Sequence, residues 1–447
     1  MGWLQFLSSF FEVDGVKYVP ISPSERTCDA IDCIYNESVE HIKIGETVTY
    51  KGIAMNVQQV HPYTCYMNTH IKDVELSNSG PIGNNAFKSC TGLESAHINN
   101  NGVIGNCAFQ SCTNLQTATL GEQTTDIGDY AFDGCNGLQG IVIPDAATSI
   151  GSYAFQNCSK MESAKIGSSV ETIEVSAFNG CSSLPVIEIP QSVKAVNDYV
   201  FQGCTSLKDV YMADRSTILT LGSNYSKPLF ADCPLDSVYI GGNISYDTDQ
   251  YSGYSPFYRN TSLRSVRITD QETEISENEF YGCTNLKNVW IGDGVTTIGN
   301  WAFSGCANLD FFAFGTSMES IGQEAFSDCV QVTKVISRAA TLPTCGSQAL
   351  DDISKWTCTL EVPKGTLAAY QNADQWKEFF FIEEGAPVSQ KKDLDGNGAV
   401  DESDVTLLVN NILGKDNTLT GAKGDLNNDG FVNMADVTKL IDFILSR

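Results

Sequence analysis

A phenylalanine recurs along this chain at a nearly constant step, and this period constrains the fold more than any other feature. The steps are 22 residues, then 23 four times, then 29 and 27, and then 23 three times. A unit of this length is too small to bury its own apolar side, so successive units must stack. The period therefore predicts a solenoid. The eleven members are Phe87, Phe109, Phe132, Phe155, Phe178, Phe201, Phe230, Phe257, Phe280, Phe303 and Phe326.

Ten of these phenylalanines are followed three residues later by a cysteine, while Asn260 takes that position after Phe257. Side chains stacked on neighbouring strands point the same way, which favours a column of buried thiols over disulfides. Two pairs outside the column, Cys28 with Cys33 and Cys345 with Cys358, remain candidates for disulfides. No C-x-x-C pair is present, so a zinc site is not expected.

The apolar skeleton of one unit is I-x(3)-A-F-x-x-C-x-x-L-x-x-V-x-I, and the copy that starts at Ile298 shows it clearly. The alternation in L-x-x-V-x-I predicts a short strand with every second side chain inward. Segments such as VTTIG predict a second short strand on the opposite side, and A-F-x-x-C predicts a tight turn. The predicted fold class is a mainly β repeat solenoid with parallel strands.

The chain divides into four segments. Residues 1–55 contain hairpin signals at Asp14-Gly15 and Lys51-Gly52 and predict an N-terminal β-hairpin cap. Residues 56–383 hold the solenoid, and the helical pattern LAAYQNADQWKEFF closes it. Residues 384–392 predict a polar linker, and residues 393–447 form a separate module. The opening MGWLQFLSSFF has no basic region or cleavage site, so it shows no clear signal peptide and is either a remnant or a first strand.

The C-terminal module carries two acidic loops, residues 393–404 and 425–436. Each has oxygen ligands at positions 1, 3, 5, 9 and 12, glycine at position 6 and a backbone carbonyl at position 7, as EF-hand loops do for Ca2+. An amphipathic segment follows each loop and predicts a helix. The sequence therefore predicts a small all-α module that binds two Ca2+ ions. The predicted ligands are Asp393, Asp395, Asn397, Ala399, Asp401, Asp404, Asp425, Asn427, Asp429, Phe431, Asn433 and Asp436.

Composition and motifs exclude several classes of function. The formal charge of −27 argues against a nucleic-acid or anionic-membrane partner, because both need a basic surface. No apolar run reaches the length of about 18 residues that a membrane helix requires. The four histidines form no H-E-x-x-H motif, and no G-x-S-x-G, P-loop or dinucleotide fingerprint occurs, so we predict a protein that is not an enzyme.

The residue between V and I in each predicted strand faces outward, and these residues should form one exposed column. Tyr211, Tyr239, Arg267 and Trp290 occupy it on four consecutive units, beside the 29- and 27-residue steps. These residue types are enriched at binding hot spots, so we predict a partner-binding surface here. The alternative is that exposed aromatic residues simply suit β-strands. The whole column is His97, Thr119, Val142, Lys165, Glu188, Tyr211, Tyr239, Arg267, Trp290 and Ala313.

The 23-residue unit with A-F-x-x-C and L-x-x-V-x-I-P resembles the BspA-like leucine-rich repeats of bacterial surface proteins. The resemblance covers about residues 56–383 and includes the ending CTLEVPKGTLAAYQNADQWKEFF. It implies secretion or display at the bacterial cell surface, adhesion to a protein or glycan, and no catalytic residues.

The duplicated loops with Asp at position 12, each followed by one helix, resemble a type I dockerin module. The resemblance implies calcium-dependent folding and docking to a cohesin-like protein. In that family, positions 10 and 11 of the loops select the partner, and here they are Glu402, Ser403, Met434 and Ala435. The expected function is non-enzymatic recognition at the cell surface or outside the cell. Alternatives are a scaffold component in which only the tail binds and, more remotely, an accessory of a carbohydrate-active enzyme.

Overall fold

The computed structural model describes residues 10–22, 24–99, 102–222, 228–246, 255–339, 341–384 and 405–409, together with residues 437, 440, 441 and 444. Its main body is a parallel β-solenoid of about 13 turns, which confirms the predicted fold class. In the described residues, no helix is long and apolar enough to cross a membrane.

The N-terminal end of the solenoid is covered by a five-stranded sheet. The first six strands are β1 (Phe11–Val13), β2 (Val16–Ser22), β3 (Thr27–Cys33), β4 (His41–Ile44), β5 (Thr47–Tyr50) and β6 (Ile53–Val60). All except β4 form the cap sheet, in the order β1-β2-β3-β6-β5. Both predicted hairpins are present: β1 pairs with β2 and β5 with β6, and the residues Asp14, Gly15, Lys51 and Gly52 have positive φ as tight hairpin turns require.

Two columns of short parallel strands, called here the front and back sheets, build the turns. The front strands are β4, β7 (Asp73–Leu76), β8 (Ser95–Ile98), β10 (Thr117–Leu120), β12 (Gly140–Val142), β14 (Ser163–Lys165), β16 (Val186–Ile189), β18 (Asp209–Met212), β20 (Ser237–Ile240), β22 (Ser265–Ile268), β24 (Asn288–Ile291), β26 (Phe311–Phe314), β28 (Lys334–Ser337), β30 (Thr359–Val362) and β31 (Phe381–Glu384). The back strands are β9 (Gly102–Ile104), β11 (Thr124–Ile127), β13 (Ser149–Ile150), β15 (Thr172–Ile173), β17 (Ala195–Val196), β19 (Leu219–Leu221), β21 (Ile244–Ser245), β23 (Glu274–Ile275), β25 (Thr297–Ile298), β27 (Ser320–Ile321) and β29 (Thr344–Cys345).

The strand ends differ slightly from the segment limits expected from the sequence. β4 pairs in parallel with β7, so the front sheet begins at His41, inside the segment assigned to the cap. Its Ile42 and Ile44 are buried, as are the inward residues Val74 and Leu76 of β7. At the other end, α1 (Leu367–Asn372) and a 3-10 helix (Trp376–Glu378) close the solenoid as predicted, and β31 extends to Glu384.

The phenylalanine column is the centre of the core. All eleven rings are fully buried. Successive rings stack nearly parallel, with centroids between 5.1 Å for Phe87 and Phe109 and 6.3 Å for Phe178 and Phe201. Each step of the sequence period therefore corresponds to one turn of the solenoid. Each phenylalanine ring stacks on the phenylalanine ring of the next turn.

The cysteine column does more than fill space. Each thiol donates to a backbone carbonyl of the preceding turn: Cys158 to Phe132 at 3.3 Å and Cys181 to Phe155 at 3.3 Å, for example. Asn260 Nδ2 makes the equivalent bond to Phe230 at 3.1 Å. Cysteine and asparagine therefore interchange at this position because both donate a hydrogen to the same acceptor.

The disulfide in the described structure joins neither of the two pairs that the sequence offered as candidates. Cys33 at the end of β3 bonds Cys65, with their Cα atoms 4.9 Å apart, while Cys28, Cys345 and Cys358 are free. One further unit precedes the unit of Phe87, and it departs from the repeat pattern. In this first unit Cys65 takes the position that phenylalanine holds in later units, and it lies next to the cap. The disulfide therefore fastens the cap sheet to the first turn of the solenoid.

We expect the column thiols to resist alkylation in the folded protein, and this is a test of their burial. Burial raises the pKa of Cys204 and Cys283 to about 12, so the reactive thiolate is scarce at neutral pH. Cys107 lies outside the column and is partly exposed. Iodoacetamide followed by mass spectrometry should label Cys107 first in the native protein and all 14 free cysteines after denaturation. Native labelling of column thiols as fast as Cys107 would contradict this arrangement.

The back sheet is interrupted between β21 and β23, and two carboxyl groups are buried beside this break. Glu272 and Glu279 are 4% and 2% exposed, where the next turn places Val295 and Ala302. Glu279 Oε2 accepts the N–H of Ser276 at 2.8 Å, and Oε2 of Glu272 has no partner in the described residues. Burial, together with repulsion from the carboxyl of Glu279, raises the pKa of Glu272 to about 9. Burial raises the pKa of Glu279 to about 8.

Candidate functional site

The four residues predicted as a partner-binding surface meet on the front sheet. Tyr211, Tyr239, Arg267 and Trp290 pair in register on β18, β20, β22 and β24, and are called here the aromatic row. The column is not exposed throughout, because Ala313, the next member, is only 2% exposed. The prediction that Ala313 is exposed is therefore wrong.

The neighbour of Ala313 on the next strand is buried as well. Ile336 pairs with Ala313 and is 1% exposed. Two residues further on, Nη2 of Arg338 donates to the main-chain carbonyl of Ile444, in the C-terminal module, at 2.8 Å.

Tyr239 is held on three sides. Tyr211 stacks on one face of its ring at 4.4 Å, and the guanidinium of Arg267 lies 5.6 Å from the ring centroid. Its hydroxyl donates to Oδ1 of Asp214 at 2.7 Å. Burial is the largest cause that raises the pKa of Tyr239 well above its ordinary value, and the hydrogen bond to Asp214 is the second. The phenol therefore stays protonated and works as a fixed hydrogen-bond donor at neutral pH.

Trp290 ends the row and is half-buried. Its ring lies 6.2 Å from that of Phe311 on the next strand. Its Nε1 is buried and has no acceptor in the described part of the chain. Trp290 therefore contributes packing as well as surface, which makes it a poorer target for mutation than Tyr211 or Arg267.

A cleft of about 620 Å³ opens beside the row. Asp214, Asp270 and Asp293 line it together with Tyr239 and Arg267. Arg338 and Ile444 also line it. The cleft is thus polar, and three carboxylates and two guanidinium groups line it.

Two arginine residues make contacts that no sequence pattern predicted. Arg215 is 4% exposed and its guanidinium donates to the carbonyls of Val193 at 2.7 Å and Ile189 at 3.0 Å. It therefore supports the backbone where the turns lengthen. On the turn edge of the solenoid, Arg259 lies 5.3 Å and 5.9 Å from the stacked rings of Tyr258 and Tyr281.

The calcium and partner residues of the C-terminal module lie outside the described residues. They are the twelve predicted ligands from Asp393 to Asp436 and the partner positions Glu402, Ser403, Met434 and Ala435. The described part of the module is helical at residues 405–409, where the segment after the first loop predicts a helix. Leu408, Val437 and Leu440 are buried together in it. Elsewhere in the described chain, no cluster of three His, Cys, Asp or Glu side chains is arranged to hold a metal.

Comparison with known families places both parts of the chain. The BspA type Leucine rich repeat region model matches in overlapping stretches, residues 38–139, 59–184, 125–252 and 252–359. The chain belongs to the BspA-type leucine-rich repeat family. Residues 391–445 of this leucine-rich repeat protein match the Dockerin type I domain. Dockerin type I domains bind calcium and cohesins, and neither family is catalytic.

Solved structures of leucine-rich repeat proteins align with much of the chain. A leucine-rich repeat protein from Bacteroides ovatus is 23% identical, with a TM-score of 0.46, over 84% of this chain and 100% of that chain. A leucine rich cell surface protein from Faecalibacterium prausnitzii is 19% identical, with a TM-score of 0.41, over 86% of this chain and 96% of that one. No curated protein matches the chain.

Proposed function

We propose that this leucine-rich repeat protein is an exported or surface-displayed recognition protein without enzymatic activity. The aromatic row binds a protein or glycan ligand, and the C-terminal module docks a second protein in a calcium-dependent way. The observation that carries the proposal is the clustering of two tyrosines, an arginine and a tryptophan on four neighbouring strands. Such residues supply most of the binding energy in protein interfaces.

The rest of the exposed column supports this assignment by contrast. The same register position holds Thr119, Val142, Lys165 and Glu188 on earlier turns. Tyr211 and Tyr239 occupy it within the 29- and 27-residue steps, and Trp290 occupies it two turns later. A preference of β-strands for aromatic residues would act on every turn, so it does not explain their restriction to this stretch.

For the C-terminal module, we propose two Ca2+ ions, one in each loop. The carboxylate, amide and backbone oxygens listed above suit a hard cation that takes six to eight oxygen ligands. Glu402, Ser403, Met434 and Ala435 would contact the cohesin-like partner. They differ from the Ser-Thr pair common in the family, so the partner's matching surface would differ too.

The binding role of the row can be tested in the calcium-loaded, full-length protein. The double variant Tyr211→Ala/Arg267→Ala should weaken ligand capture by about 2 kcal/mol or more, roughly 30-fold. The assay is binding to a panel of purified matrix proteins and to a glycan array. The control Lys165→Ala/Glu188→Ala changes the same register position on two earlier turns and should bind normally.

The same assay separates recognition from a scaffold role. In a scaffold, the solenoid is a spacer and the loop variant Asp393→Ala/Asp425→Ala abolishes all capture, while the row variant has no effect. Under the proposed function, the loop variant loses the docking partner but keeps the ligand of the row. Unchanged capture by the row variant, with its melting temperature also unchanged, would refute recognition by the row.

A further inference from the structure

Two apolar side chains on the outer face of the front sheet are buried although they lie outside the core of the solenoid. Ala313 on β26 and Ile336 on β28 are 2% and 1% exposed. The core residues Phe312 and Val335 of these strands point to the opposite face, since side chains alternate along a strand. Val142, an aliphatic residue at the same register position of β12, is 59% exposed.

Neighbouring side chains on the sheet do not account for this burial. Ile336 lies between Ala313 on one strand and Glu361 on the next. Alanine is short, and Oε2 of Glu361 is held by Nζ of Lys334 at 2.8 Å. Side chains that stand on a sheet shield the flanks of their neighbours and leave the tips open to solvent. The tip of Ile336 is almost fully buried, so a cover lies above the sheet at this point.

The C-terminal module contacts the front sheet at the same place. Nη2 of Arg338, two residues beyond Ile336, donates to the main-chain carbonyl of Ile444 at 2.8 Å. Ile444 and the described residues 437, 440 and 441 before it are helical and apolar. Ile444 also lines the cleft that Tyr239 and Arg267 of the row line. The contact with Arg338 and the lining of the cleft therefore both put Ile444 against the front sheet.

The same chain is able to supply this cover. Ile336 lies on β28, which is two strands from β31, the last strand of the front sheet, a distance of about 10 Å. Residues 385–404 join β31 to the helical residues 405–409 of the module. A stretch of this length spans up to about 70 Å. The module therefore reaches the covered face, and attachment to the same chain raises its effective concentration there.

We propose that the outer face around Ala313 and Ile336 is a docking surface for the C-terminal module of the same chain. The helix that contains Ile444 lies over these two residues, and Arg338 binds its main chain. Because this helix borders the cleft beside the row, a ligand that extends from the row into the cleft competes with the module. Each then weakens the binding of the other by the same factor. The docking is independent of the proposed function, whereas the competition rests on it.

Thiol labelling of the full-length protein tests the docking. The variant Ile336→Cys places a thiol on the covered face, and the matched control Val142→Cys places one at the same register position where the sheet is exposed. With calcium, iodoacetamide should modify the thiol at position 336 at least about tenfold more slowly than the thiol at position 142. In EGTA, or with Asp393→Ala/Asp425→Ala added, the two rates should become similar because the module is released.

Three results would overturn the docking. Fast labelling at position 336 in calcium would show that the face is open. Slow labelling that persists in EGTA and in the loop variant would show that the solenoid covers this face by itself. Protection that is lost on about a hundredfold dilution would show that a second copy, and not the same chain, supplies the module.

Ligand capture tests the competition. Ile336→Lys puts an unpaired charge under the docked helix, so it should release the module. Capture of the row's ligand on the panel of matrix proteins and glycans should then strengthen by about threefold or more, while the control Val142→Lys leaves it unchanged. Equal capture by Ile336→Lys and the unaltered protein would overturn the competition.

The two assays separate this inference from the proposed function. If the labelling pattern holds while the row variants keep capture, the proposed function falls and the docking stands. If labelling at position 336 is fast in calcium while the row variants lose capture, the docking falls and the proposed function stands.

Discussion

Replacing Glu272 by valine and Glu279 by alanine should stabilise the solenoid by about 2–4 kcal/mol per site at pH 7, and much less at pH 5. These are the residues that the next turn has at the same positions, Val295 and Ala302, so the new side chains suit the core. The folded chain keeps both carboxyls protonated up to pH values near 8 and 9, whereas the unfolded chain releases these protons near pH 4.5. Stability from these groups is therefore full below about pH 4.5 and is lost as pH rises through 8 and 9.

The measurement is thermal or denaturant unfolding at pH 5 and pH 8, with hydrogen exchange of amides in β22 to β25 as a local readout. Other groups near the pair are Tyr246, whose hydroxyl lies 3.5 Å from Glu279 Oε2, and the exposed Glu274. The control Glu277→Gln removes an exposed carboxyl from the same turn and should change stability little. Equal stabilisation at both pH values would show that packing, and not ionisation, is responsible.

Removing calcium should unfold the C-terminal module and leave the solenoid intact. The module spans only 55 residues, which limits the size of its core, and Leu408, Val437 and Leu440 are buried together among its described residues. Such a core supplies little stability by itself, and the acidic side chains of each empty loop repel one another. Each bound ion adds about 4 kcal/mol when calcium exceeds its dissociation constant a thousandfold.

Circular dichroism with and without EGTA measures this effect. Helical signal should fall in chelator while the β signal persists, and Asp393→Ala/Asp425→Ala should reproduce the loss in excess calcium. Asp416→Ala removes an acidic residue between the loops and should have no effect. Helicity that is unchanged in chelator would rule out the assigned ligands.

The repeating features of the fold were predictable from the sequence, because each residue in a solenoid packs on its own copy one turn away. The phenylalanine and cysteine columns and the two strands per turn depend only on this period. The closing helix depends on its own helical pattern of apolar residues. The hairpins at Asp14-Gly15 and Lys51-Gly52 depend on two adjacent residues. In all these cases the controlling contacts are local or strictly periodic, so pattern alone reveals them.

Features that depart from the period required the structure. The Cys33–Cys65 disulfide joins the cap to the first turn, and no repeat relates those two positions. Glu272 and Glu279 belong to a residue type that is usually exposed, yet both lie in the core. For the candidate site, the sequence predicted the four row residues, but not Asp214, which accepts the hydrogen bond of the Tyr239 hydroxyl.

By itself, the sequence determined the solenoid, its register, the row of four residues on one face and the family to which the chain belongs. The tertiary structure decided which parts of that face remain open. It showed that Tyr239 has no free ring face, that Ala313 is covered, and that three aspartates line a cleft beside the row. The reason is physical: the period sets which turn a residue occupies, but exposure and charge at a surface depend on side chains from several turns together.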